Sequence, residues 1–230
     1  MRLEMFDLAA ADPAVRFSPY CWRVRMACAL KGIELHTLPW RFTEAARLPG
    51  GHRTVPTLTH PGGAMSESFD IALWLERQFP DSTPLLGDDQ AVAHLRLIAA
   101  WTESQVSAAL VRNVALDIWS ALDPADQPYF RASREQRFGA SLEAVQDGRE
   151  GRIDAIRTAL QPARMALRRG PYLGGERPGF ADCLLFGPFM WVRAISRFEP
   201  LDDTDPVAEW RERMLDAAGG FARQAPRAFA

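Results

Sequence analysis

Cysteine is scarce in this chain: Cys21, Cys28 and Cys183 are odd in number and show no metal-ligand spacing. A disulfide framework and a zinc site are therefore both set aside, and no metal is expected. Long apolar runs are missing too, since none approaches the ~18 residues needed to span a bilayer. The opening MRLEMFDLAAADP lacks a charged segment followed by a long apolar region, so a cytoplasmic protein without a membrane partner is the expectation. Excess charge is the third absence. A net charge of −2 gives no global attraction for polyphosphate, and nucleic acid is not an expected partner. The four histidines form no catalytic pairing, and no internal repeat or low-complexity tract is visible.

What is present is a chain of 230 residues, 47% apolar, enough for one full core or for two smaller domains sharing an interface. Its patterning changes near residue 80. Before that point, β-rich stretches at 3–8, 33–40 and 55–60 alternate with helical patterns at 20–31 and 68–79, in a β-α-β then β-β-α order. The segment FPDSTPLLGDD carries two prolines and a glycine among polar residues, which is linker chemistry. Beyond it the pattern is helical over 90–120, 128–146, 152–169, 180–196 and 206–217. The division expected is 1–80, a linker at 81–89, and 90–230.

Three landmarks carry the chemistry. In Ser18-Pro19-Tyr20-Cys21, serine is a favoured N-cap and proline suits the first helical position, while Trp22, Met26, Ala29 and Leu30 recur at helical spacing. The pattern predicts an amphipathic helix whose start exposes N–H groups and the positive end of a dipole, a setting that stabilises a thiolate or carboxylate. Capping alone also accounts for Ser18. Val55-Pro56-Thr57 puts a proline in a strand-like run, where it belongs at an edge, a strand start or a special turn. Ser66-Glu67-Ser68 directly precedes the apolar residues Phe69, Ile71, Ala72 and Leu75, so it reads either as a ligand contact or as helix capping by Ser66 or Ser68.

Taken together, in this order and spacing, the landmarks resemble the glutathione transferase superfamily over essentially the whole chain. Tyr172-Leu173-Gly174-Gly175 and Phe180-Ala181-Asp182 are similar to that family's loop and buried helix start, with Gly179 where relatives usually carry a Ser or Thr cap. A narrower similarity, in Ser133-Arg134-Glu135-Gln136, in the stretch from Leu142 to Glu150 and in LGG-x-x-P-x-FAD, is to bacterial glutathione-dependent β-etherases of the serine-type branch and to related fungal transferases. The fold implied is a thioredoxin-like α/β N-terminal domain followed by an all-α C-terminal domain.

The resemblance implies glutathione as co-substrate and Ser18 as hydrogen-bond donor to its sulfur. A free thiol with a pKa of about 8.5 is only a few per cent ionised at neutral pH, and lowering it by about two units takes roughly 2.7 kcal/mol of differential stabilisation. Pro56 is then cis, Val55 pairs its backbone with the cysteinyl part, and Glu67 and Ser68 take the γ-glutamyl ammonium and carboxylate. For the glycyl carboxylate, Thr54 stands where relatives often have Lys, Arg or Gln, leaving Arg41, His52 and Arg53 unranked. A pocket for a small apolar, aromatic electrophile, such as an aryl ether, is expected between the domains. Tyr20, Trp22, Trp40, Phe42 and Trp119 are its candidates, and Trp101, Phe189 and Trp191 complete the aromatic pool. Homodimerisation is implied as well. Two other classes stay open: a thiol-disulfide oxidoreductase, since SPYC is close to CPYC although serine cannot form the mixed disulfide, and a non-catalytic ligand-binding protein of the same fold.

Overall fold

A computed structural model describes residues 2–229. Four short strands, β1 (Leu3–Leu8), β2 (Leu35–Trp40), β3 (Thr57–His60) and β4 (Gly63–Ser66), form one sheet in the order β2-β1-β3-β4. β1 and β2 are parallel, with Leu3 opposite Leu35, because helix α1 (Pro19–Lys31) supplies the crossover that a parallel pair needs. β1–β3 and β3–β4 are antiparallel, and β4 leads directly into α2 (Ser68–Gln78). Leu3, Met5 and Leu58 point from the sheet onto Cys21, Val24 and Cys28 of α1 and onto Ile71 and Leu75 of α2, closing a small core. This is the thioredoxin-like α/β unit, and an all-helical unit follows it.

The amphipathic reading of α1 needs correction. Cys21, Trp22, Arg23, Val24, Met26, Ala27, Cys28 and Lys31 are all buried, which covers most of the circumference. The reason is a second neighbour: α9 (Phe180–Ile195) packs on the side of α1 away from the sheet, and Trp22, Met26 and Ala27 join the larger core there. The approach is close at Gly187, where a Cβ would run into the Pro19 carbonyl. Buried charges on α1 are matched across the fold, Arg23 to Glu103 at 2.9 Å and Lys31 to Glu76 at 2.7 Å and to the Thr83 carbonyl at 2.9 Å.

The helical patterns are where the sequence places them, with interruptions. The stretch 90–120 is α3 (Asp89–Trp101), a π-helical turn (Thr102–Ser107) and α4 (Ala108–Ala121). The stretch 128–146 divides into α5 (Gln127–Phe138) and α6 (Leu142–Gln146), because Gly139 ends α5 at φ 71° and Ser141 caps α6. The stretch 152–169 divides into α7 (Ile153–Ala159) and α8 (Gln161–Leu167), since Pro162 has no N–H to continue the ladder. α10 is Pro206–Gly220, losing helical geometry at Ala217. Among the described residues no helix is long and apolar enough to cross a membrane.

Buried Asp182 ties the helical unit together. Its carboxylate accepts from the N–H groups of Leu173, Gly174 and Gly179 at 2.8–2.9 Å and from the Trp210 indole at 2.8 Å. Gly174 suits this site because a Cβ there would lie 2.9 Å from both the Arg177 carbonyl and the Gly179 nitrogen. Asp182 thus anchors the start of α9, the helix that fixes α1.

Candidate active site

A cavity of about 590 Å³ opens between the two units, within the range of small-molecule sites. One wall is the N-terminal end of α1. Ser18 has extended backbone, φ −63° and ψ 124°, and its Oγ accepts from the Cys21 N–H at 3.2 Å. It is 3% exposed yet lines the cavity. One lone pair of the hydroxyl is thereby engaged; among the described residues its O–H has only the Cys21 sulfur beside it, and it can turn to donate into the cavity. Sequence alone left capping and donation as competing roles; the geometry allows both at once.

The second wall is the segment before β3. The Val55-Pro56 peptide is cis. Ser66 Oγ donates to the Pro56 carbonyl at 2.9 Å, and Thr57 Oγ1 donates to the Thr54 carbonyl at 2.7 Å, so this turn is held from both sides. Val55 lies ahead of Thr57, the first residue paired in the sheet, and it lines the cavity with Thr54 and Arg53. Glu67 and buried Ser68 form the third wall at the start of α2. Neither Ser66 nor Ser68 caps the helix. Glu67 occupies the cap position without a side-chain hydrogen bond, and its backbone sits at φ 70°, ψ 114°.

Of the three basic candidates, only Arg53 lines the cavity. Arg41 is drawn to Asp123 at 2.9 Å, and His52 packs against the Gly50 turn outside the lining. The aromatic candidates divide in the same way. Tyr20, Trp40, Phe42 and Trp191 line the cavity. Trp22 does not: it is buried in the core, with its indole donating to the Arg16 carbonyl at 2.9 Å. Trp119 also lies outside the lining, with the Arg131 guanidinium 4.4 Å from its ring.

The far wall comes from α4 and α5, and the sequence reading largely missed it. Val111, Ile118, Tyr129, Phe130, Arg134 and Arg137 all face the cavity. A signal was present: Phe130, Arg134 and Arg137 recur at i, i+4 and i+7, on one face of a helix. Buried Asp126, just before α5, clamps this wall to the α/β unit by accepting from the Phe42 and Thr43 N–H groups at 3.1 and 3.0 Å and from the Thr43 hydroxyl at 2.7 Å. Glu103 reaches the cavity from the π-helical turn and pairs with Arg23.

Electrostatics separate the hydroxyl from the thiol behind it. Burial, reinforced by the neighbouring Asp7 carboxyl, pushes the Cys21 thiol well above its ordinary range, and the residue is fully buried. Burial also raises Cys28 to about 12 and raises Cys183 well up. All three cysteines are therefore poor nucleophiles. Tyr20 stays a phenol, its pKa raised first by burial and then by Glu103 and Glu67. Among the described residues no cluster of His, Cys, Asp or Glu is arranged to hold a metal.

Comparison with known proteins agrees with this architecture. Residues 13–83 match the family described as Glutathione S-transferase, N-terminal domain, and residues 93–216 match Glutathione S-transferase, C-terminal domain. The chain is 27% identical to a glutathione S-transferase-like protein, ustS, of Aspergillus flavus, over 95% of this chain and 87% of that one. Among solved structures, glutathione transferase GSTFuA3 of Phanerochaete chrysosporium superposes with a TM-score of 0.81 at 24% identity, covering 95% of this chain and 97% of the other. CsGST63524 of Ceriporiopsis subvermispora, in complex with glutathione, gives 0.82 at 21% identity, covering 95% and 96%. The structural likenesses carry the fold.

Proposed function

This chain belongs to the glutathione S-transferase family, and on that premise we propose that it binds glutathione beside Ser18 and delivers the thiolate to a small apolar, aromatic electrophile. The observation that carries this reading is the Ser18 hydroxyl, which accepts from Cys21 N–H while lining the cavity, where its O–H can donate to a ligand sulfur. A thiolate placed there also meets the N-terminal end of α1, where dipole and unpaired N–H groups favour negative charge. Ser18 is a donor in this scheme, neither nucleophile nor base. Residues 1–80 bind the tripeptide, 81–89 connect, and 90–230 complete the electrophile pocket. Val55 pairs with the cysteinyl part, Glu67 takes the ammonium, Ser68 the γ-glutamyl carboxylate and Arg53 the glycyl carboxylate, and the protein works as a cytoplasmic homodimer.

Within the family we assign the chain to the serine-type branch, with aryl-ether cleavage as one form of the reaction. Support comes from the aromatic lining of Trp40, Phe42, Tyr129, Phe130 and Trp191, which suits a ring-bearing electrophile. A disulfide oxidoreductase is disfavoured because Ser18 cannot form the mixed disulfide and Cys21 is buried with a raised pKa.

Ser18→Ala tests the proposal. The bound thiol's pKa rises, conjugation at neutral pH falls about tenfold or more, and glutathione affinity stays nearly intact. Thiolate absorbance titrations of bound glutathione, with mass spectrometry of products from aryl ethers, halides and isothiocyanates, read this out. An unchanged pKa and rate in Ser18→Ala reduces Ser18 to a cap; glutathione binding without turnover of any electrophile leaves a ligand-binding protein.

A further inference from the structure

We propose that the electrophile pocket is built for an anionic aromatic compound, one whose ring lies on Phe42 and Phe130 and whose carboxylate or equivalent acid group is bound by Arg134, with Arg137 beside it. This rests on the glutathione-transfer reading above and narrows its aromatic electrophile to one that carries an acid group on an otherwise apolar ring.

The charges around the cavity point there. Glutathione brings two carboxylates and one ammonium, and Arg53, Ser68 and Glu67 of the α/β unit face the cavity to meet them. Glu103 is already paired with Arg23. Two cations remain on the opposite wall. Among the described residues, neither Arg134 nor Arg137 has a carboxylate within ion-pair distance, because the nearby acids are engaged elsewhere: Glu135 and Glu143 on Arg131, and Asp126 on the Phe42–Thr43 backbone.

Arg134 is not an ordinary solvated helix arginine. It is half-buried, its guanidinium carbon lies 4.8 Å from the Phe130 ring centre and 5.7 Å from that of Phe42, and its Nη1 donates to Ser133 Oγ at 2.8 Å. Stacking and that one hydrogen bond hold the fork in place, with most of its donors left over. Burial lowers its pKa, the expected result of desolvating a cation without supplying an anion. Arg137, one turn further along the same face, adds charge at the mouth. A purely apolar electrophile would leave both cations unmatched, whereas an aromatic acid engages ring stacking and a bidentate hydrogen bond together.

For an activated aryl halide the reaction balances simply. The thiolate sulfur attacks the ring carbon bearing chlorine, the carbon–sulfur bond forms, and the carbon–chlorine bond breaks as chloride leaves with the bonding pair. The thiol proton has gone to solvent beforehand.

Two matched pairs of compounds test the proposal on the full, glutathione-loaded chain. Unreactive 3,5-dinitrobenzoate and 1,3-dinitrobenzene report binding, by quenching of tryptophan fluorescence. Reactive 4-chloro-3,5-dinitrobenzoate and 1-chloro-2,6-dinitrobenzene report conjugation. The wild type is expected to prefer the carboxylate by about tenfold or more in both pairs, the scale of a charge-assisted hydrogen bond. Arg134→Ala should lose most of that preference, Arg134→Lys should keep part of it, and added salt should erode it. Circular dichroism checks the fold of each variant, and the salt series on the wild type needs no variant. Equal binding of both unreactive compounds, or a preference that survives Arg134→Ala combined with Arg137→Ala, overturns the anion site even if conjugation proceeds. A carboxylate preference in binding with no conjugate from either halide leaves the anion site standing and sinks the transfer reaction instead.

Discussion

At the scale of single residues, the most consequential backbone choice is Glu67, a side-chain-bearing residue held at φ 70° with no capping hydrogen bond to justify it. A positive φ in a sparsely populated region costs an L-residue about 1–3 kcal/mol, and such strain concentrates at ligand sites. Two substitutions separate ligand binding from backbone fit. Glu67→Ala and Glu67→Gly should both weaken glutathione binding by about 1–3 kcal/mol, the scale of a charge-assisted contact. Glycine relieves the strain while freeing the unfolded chain by about 0.4–1 kcal/mol, so its melting temperature should stay near that of the wild type. Calorimetry showing intact affinity in a folded variant assigns Glu67 to backbone geometry alone. Sequence pointed to Ser18 and to the Glu67-Ser68 pair because their residue types and their place before helical patterns constrain what they can do. It could not show that Arg41 turns to Asp123 or that Trp22 is a core residue, since side-chain direction is set by contacts far apart in the chain.

Elements carry the same lesson at a coarser grain. The five ranges predicted before residue 80 appear with no end displaced by more than two residues, because hydrophobic period and proline placement are local signals, while the second strand of the expected β-β-α order, β4, had no range of its own. The π-helical turn at Thr102–Ser107 interrupts a stretch that reads as continuous helix, and nothing local announces it; it brings Glu103 to the cavity, in keeping with the tendency of such turns to mark functional sites. The pairing of α1 with α9 likewise depends on a residue far away in sequence. Gly187→Ala places a methyl group against the Pro19 carbonyl, at the helix start that aims Ser18. Overpacking of this kind costs about 1–3 kcal/mol, and relief by moving α1 displaces the hydroxyl. A lowered denaturation midpoint together with reduced conjugation is the expected pair of results. Loss of stability with full activity per folded molecule would mean that α9 shifts and α1 holds its place.

For the molecule as a whole, the site exists only because two units meet. Ser18, Val55, Glu67 and Ser68 come from the α/β unit, Tyr129, Phe130 and Arg134 from the helical one, and Asp126 locks the two across the Phe42–Thr43 backbone. The change from alternating to helical patterning near residue 80 is visible in the sequence, but the far wall is not, because a cavity is a property of packing between distant segments. A further surface is left uncovered. α3 buries only Leu95 of its thirteen residues, and Ala93, Leu97 and Ala100 stand exposed at i, i+4 and i+7, with Leu97 at 70% exposure. An exposed apolar stripe of that spacing, beside half-buried Val92, Ile98 and Trp101 that pack on the core, suits contact with another helix, and a two-fold copy offers the same stripe in return. The dimer proposed above should therefore use α3. Sedimentation equilibrium is expected to give twice the 25.7 kDa chain mass, and Leu97→Glu, which sets two like charges against each other across the axis, should shift the population to monomer while preserving the circular dichroism spectrum. A wild-type mass that stays at one chain across all concentrations removes the dimer. A dimer untouched by Leu97→Glu moves its interface away from α3.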